Sequence, residues 1–138
     1  MKRLKKLLAG LCMAALVVLT AAGCGSDKPY KTVQDYLDDN SDDMKAAEEA
    51  TKGTGMTMKI TADGSKLVYT VQYETQLPVD ETNKDALKGE FETAMEGQRS
   101  SLESTLDELK KQIEDENVSI VFSYLNADGT LLYSDEIK

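Results

Sequence analysis

The stretch "MTMKITADGSKLVYTVQYE", residues 56–74, restricts what this chain can fold into more than any other. Met56, Met58 and Ile60 alternate with Thr57, Lys59 and Thr61, and a period of two marks a strand buried on one face. Asp63-Gly64 is a strong hairpin signal. A two-residue turn there sets Ile60 opposite Leu67, Met58 opposite Tyr69 and Met56 opposite Val71, with every apolar residue on one side. A sheet with one greasy face needs a cover, and the rest of the chain has to supply it.

The cover is written after Pro78. "DETN" opens a helix with Thr82 or Asn83 as cap. From Leu87 the apolar positions run Phe91, Ala94, Met95, Leu102, Leu106, Leu109 and Ile113, an arc of about 120° at 100° per residue. Gly89 and Gly97 lie outside that arc, so one helix over 84–115 is expected, roughly 48 Å long; a break near 97–101 is the competing reading. Strands of roughly 25 Å would leave part of such a stripe bare, unless earlier helices cover it. Before the hairpin, "KTVQDYLDDNSDDMKAAEEATKG" reads as one broken helix or two short ones, restarting at Asn40 or Ser41 and stopping at Gly53. After the long helix, Val118, Ile120, Phe122 and Tyr124 alternate into a turn at 126–129 and a last strand through Tyr133. A four-residue loop would pair Phe122 with Tyr133, a two-residue loop Tyr124 with Tyr133. The predicted fold is α+β: a four-stranded antiparallel sheet of two hairpins, packed on one face by the long helix, with one or two short N-terminal helices.

The first residues read differently. Lys2, Arg3, Lys5 and Lys6 precede an almost wholly apolar run from Leu7 to Ala22, the pattern of an export signal. The run is shorter than the ~20 residues that cross a bilayer. Ala21-Ala22-Gly23-Cys24 resembles the lipobox of bacterial lipoproteins, in which the cysteine sulfur receives a diacylglycerol and the chain is cut just before it. Cys12 would leave with the signal, so Cys24 would be the single thiol of the mature chain, and acylation removes a reactive liability. The expected organisation is a lipoprotein signal peptide over 1–23, a lipidated tether over 24–29 and one domain over 30–138. Lipidation at Cys24 would place the domain on the extracytoplasmic face of the cell membrane, at the end of a tether reaching roughly 20 Å.

Losing the four basic residues of the signal takes the formal charge from −9 to −13. Such a surface repels nucleic acid and anionic headgroups within a Debye length of about 8–10 Å. The chain has no histidine, which removes Ser–His and Cys–His nucleophile pairs and the commonest metal ligand. Asp38, Asn40, Asp42 and Glu49 fall at calcium-loop spacing, but Asp43 stands where the sharp turn needs glycine. The acids Glu90, Glu92, Asp107 and Glu108 spread around one helix, where a solvated face explains them better than a glycosidase pair. Six tyrosines against two phenylalanines suit either contact surfaces or the rim of a small core. No catalytic residue, metal site or cofactor is expected, and the binding residues stay unassigned.

The lipobox, the "TVQDYLDD" helix, "KLVYTVQY" and the closing "YLNADGTLLYSDEI" together resemble a family of small Gram-positive bacterial lipoproteins carrying a domain of unknown function. The resemblance implies no catalytic or binding residues. The sequence therefore leads to a lipid-anchored, non-catalytic binding or interaction module of the cell envelope. Its expected partner is a protein or peptide, or a second copy met through the long helix. Small-ligand capture for uptake or sensing is the alternative. An envelope enzyme would need clustered acids with perturbed pKa in a cleft.

Overall fold

The computed structural model describes residues 29–138; the expected signal, Cys24 and most of the tether lie outside them. Two short helices lead, α1 (Val33–Asp39) and α2 (Ser41–Ala50). The hairpin β1 (Met56–Asp63) and β2 (Lys66–Tyr73) follows, then the helix α3 (Lys84–Gln112), then β3 (Ser119–Leu125) and β4 (Leu131–Ile137). The family of short N-terminal helices is thus a pair, split at Asn40. Thr32 caps α1 through a reciprocal pair of bonds: its hydroxyl accepts from Asp35 N, and the Asp35 carboxylate accepts from Thr32 N.

The sheet has the order β1-β2-β3-β4, and its central pair is parallel. This corrects the antiparallel sheet expected from the sequence. Each hairpin is antiparallel, as local alternation and turns dictate. What joins them is α3, about 43 Å long at 1.5 Å per residue, running back over the sheet without a break. One traversal returns the chain to the end where β2 began, so β3 must run beside β2 in the same direction.

The first hairpin keeps the predicted faces but not the predicted pairing. Ile60 lies opposite Tyr69, Met58 opposite Val71 and Met56 opposite Tyr73. The turn is centred on Gly64-Ser65, with Asp63 paired to Lys66, and Gly64 takes φ +58°. Glycine in the first central position with a positive φ there alone is the type II′ arrangement, whereas Asp63-Gly64 at the centre would need a positive φ at Asp63. The slip is two residues, one full strand period, so every side chain stays on its predicted side. In the second hairpin Tyr124 faces Tyr133, but through a three-residue turn with a bulge between Tyr124 and Leu125. Gly129, φ +87°, donates to Asn126 O and closes that turn.

Helices cover one face only. α1 and α2 lie against β1, and α3 lies against β3 and β4. Five rings form the centre: Phe91 of α3 stacks on Tyr124 at 5.0 Å and on Tyr133 at 5.5 Å, while Phe122 stacks on Tyr69 at 4.8 Å across the parallel pair. Phe122 and Tyr124 connect the two groups at 6.5 Å. Tyr36, Tyr69, Tyr73 and Tyr124 are fully buried, so most of the tyrosines build the core rather than its rim or a contact surface. The α3 stripe is buried from Leu87 to Ile113, and the bare overhang expected from its length is not present. Buried Leu77 adds to the cover near its start, and Tyr30 pins its end, donating from N to Gln112 O and accepting at O from Glu114 N.

The Tyr73 hydroxyl is buried without a hydrogen-bond partner. Tyr73→Phe should therefore raise the unfolding free energy at neutral pH by about 1 kcal/mol, read from urea midpoints. Burial pushes the Tyr73 phenol up, and that of Tyr36 up to about 12. Folded-state values above the usual 10 mean that the stability held by these neutral phenols is complete below pH 10 and is lost as the pH rises beyond it. The advantage of Tyr73→Phe should accordingly widen between pH 7 and pH 11. A variant less stable than the parent at both pH values would contradict the unpartnered hydroxyl.

Each edge strand carries one feature that discourages further strand pairing. On the β1 side, Glu48 of α2 accepts from Ile60 N at 2.9 Å, taking the place of a strand carbonyl. On the β4 side, Asp135 shares the covered face with Phe122 and meets Arg99 of α3 at 2.8 Å. An inward-facing charge on an edge strand discourages further strand pairing.

Candidate functional site

At the end where α3 begins, an extended segment crosses from β2 towards the helix and is tied to the β3–β4 turn by side-chain amides. Asn126, buried, accepts from Leu77 N at 2.8 Å and donates to Leu77 O at 3.0 Å, copying the two bonds of a strand pair. Gln76 adds a second link, donating to Asp128 and accepting from Asp128 N at 2.9 Å. Gln72 donates to Ala127 O at 3.1 Å. Asp80 then starts the helix. Its carboxylate accepts from the Thr82 hydroxyl, the largest cause of a carboxyl held below the ordinary value, and also from Thr82 N and Asn83 N. Asn83 stands at the cap position, but its side chain makes no cap bond; the amide reaches back to Pro78 O.

This latch frames an open cleft of about 430 Å³. Among the described residues, Val79 and Leu131 are the large apolar side chains left exposed, at 41% and 58%, and both line this one cleft. Leu132 is half-buried beside them, and Lys84, Asp85 and Lys88 of α3 form the charged wall. The segment leading in from the N-terminus enters at Tyr30, which is bonded to the other end of α3. The cleft and that entry point are thus about 40 Å apart along the helix axis.

A second cleft, of about 530 Å³, lies between α2 and the uncovered face of the sheet. Its wall is α2, with Lys45, Glu48, Glu49 and Lys52; its floor includes Thr57, Lys59 and Thr70. Leu125 supplies apolar surface there, with the buried Met58 behind it.

The residues singled out in the sequence fall as follows. Cys24, the expected lipidation site, lies outside the described residues. Asp38 is in α1, whereas Asp42 and Glu49 are in α2, so the stretch with calcium-loop spacing is helical and its acids are separated. Among the described residues no group of three or more His, Cys, Asp or Glu is placed to hold a metal ion. On α3, Glu92 pairs with Lys88 and Glu108 with Lys111, both at the surface. No described helix is long and apolar enough to cross a membrane. Sequence reasoning missed the latch. The turn at 126–129 was legible, but the amide of Asn126 serves Leu77, 49 positions away, and nothing local signals such a bond.

No curated protein and no solved structure matches the chain. The domain of unknown function DUF4854 matches residues 33–137, which span α1 to the last residue of β4. The match therefore takes in both hairpins, the covering helix and the amide latch, and the chain belongs to the DUF4854 family.

Proposed function

We propose that this chain is a lipid-anchored, extracytoplasmic, non-catalytic binding module of a bacterial cell envelope, and that it meets a protein or peptide partner at the cleft between the latch and the start of α3. The convergence of Val79 and Leu131 on that cleft carries the binding part of the reading. Exposed apolar side chains that gather at one place, on a body otherwise covered in charge, are the mark of a contact surface. The anchoring part is supported by the basic head, the short apolar run and Ala21-Ala22-Gly23-Cys24. Diacylglycerol on Cys24 would tether the chain near Tyr30 and turn the cleft, at the opposite end of α3, away from the membrane. The long helix lends no support to self-association, because its stripe is buried within the chain.

A photo-crosslinking amino acid in place of Leu131, expressed in the native host, tests the contact. A discrete protein adduct is expected at Leu131, absent from the same label at exposed Glu103, and lost in Val79→Asp. An identical adduct pattern at both positions, or none at Leu131, removes the reading. The anchor has its own test: the parent chain should fractionate with membranes, and Cys24→Ser should move to the soluble fraction.

A further inference from the structure

The cleft beside α2 carries more lysines than carboxylates. It is lined by Lys45, Lys52 and Lys59 against Glu48 and Glu49. Three further clefts on the described residues carry at least as many carboxylates as lysines. Both glutamates of the α2 cleft are already engaged. Glu48 accepts from Ile60 N at 2.9 Å, and Glu49 pairs with Lys52 at 2.6 Å. Lys45 and Lys59 form no ion pair among the described residues. Two uncommitted ammonium groups on one cleft run against a chain whose formal charge is −9. An ammonium is a compact charge with three donors, suited to a carboxylate or phosphate without demanding a fixed fork geometry.

The rest of the lining is apolar or only weakly polar. Leu125 contributes hydrocarbon, Thr57 and Thr70 are short side chains with a methyl and a hydroxyl each, and Met58 lies buried directly behind this wall. A volume of about 530 Å³ falls within the range of about 300–1,000 Å³ that holds small organic ligands. Inorganic phosphate would leave most of that space unused. We infer that this cleft binds a small amphiphilic anion: a carboxylate or phosphate held by Lys45 and Lys59, on an apolar body lying against Leu125 and the methyl groups of Thr57 and Thr70. This site shares no lining residue with the partner cleft at the start of α3, so neither proposal depends on the other.

Methyl-labelled methionine NMR on the full chain in a non-ionic detergent reads the site, because Met58 lies directly behind its wall and Met95 sits on the remote α3. Phenyl phosphate and benzoate serve as the anionic probes, and benzyl alcohol as the neutral one. A saturable shift of the Met58 methyl is expected with at least one anion, with a midpoint in the millimolar range or below and no matching change at Met95. The double variant Lys45→Gln, Lys59→Gln should raise that midpoint at least tenfold, whereas Lys45→Arg, Lys59→Arg should keep it within about threefold. The stronger of the two anions identifies the head group. The inference is overturned if neither anion gives a saturable shift, if benzyl alcohol binds as well as they do, or if the glutamine variant leaves the midpoint unchanged.

Discussion

Phe91→Ala should lower the unfolding free energy by about 3–5 kcal/mol, the cost of removing a large buried aromatic ring. Phe91 is fully buried and stacks on both Tyr124 and Tyr133, so the change opens a void where α3 meets β3 and β4. Neither tyrosine can fill the space freely, because each is fixed in the strand pairing opposite the other. For a domain whose whole stability is of order 5–15 kcal/mol, the loss is a large share. Urea unfolding followed by far-ultraviolet circular dichroism measures it as a fall in midpoint with little change in slope. Phe91→Leu, which keeps most of the volume, should lose about half as much. Equal costs for the two variants would mean that stacking geometry, rather than filled volume, dominates at this position.

Asn126→Ala should cost about 2–4 kcal/mol, although it removes only a short side chain. The substitution leaves Leu77 N and Leu77 O without the partners they have in the parent, and buried backbone groups left unpaired cost about 1–3 kcal/mol each. The Leu77 side chain is buried, so the segment cannot swing into water to recover those bonds without exposing it. Asn126→Asp separates the two halves of the latch. A carboxylate can still accept from Leu77 N, as the amide oxygen does, but it has no donor for Leu77 O and carries a charge into a buried place. It should therefore be no more stable than the alanine variant. Because the same segment leads to Val79, both substitutions should also weaken crosslinking from Leu131, even under conditions where the chain remains folded.

The elements of this domain were legible because they are written in short-range periods. Alternation gave four strands, the 3.6-residue stripe gave α3 as one helix, and Asn40 marked the break between α1 and α2. The faces of the first hairpin survived even an error in its turn, since Gly64 in the first central position moves the pairing by one whole strand period. Sheet direction was not legible from the hairpins, because each specifies only its own pair; it follows from the single traversal of α3. The stripe also hid one of its members. Gln98 is buried between Met95 and Leu102, where a polar residue gave no apolar signal, and its side-chain oxygen has no hydrogen-bond partner. The clefts were the least legible part. Val79 and Leu131 are 52 positions apart, and Lys45 and Lys59 line one cleft only because α2 packs against β1.

The parallel join at the middle of the sheet has a kinetic side. Each hairpin closes over a few residues, but Lys66 meets Ser119 across 53 positions, most of them in α3. Distant pairings of this kind require loop-closure entropy to be spent before they return any stability, which slows the search for the native state. Nascent hairpins and helix would therefore wait on their mutual docking, and any chaperone or protease at hand would meet two unjoined halves before it meets a finished sheet.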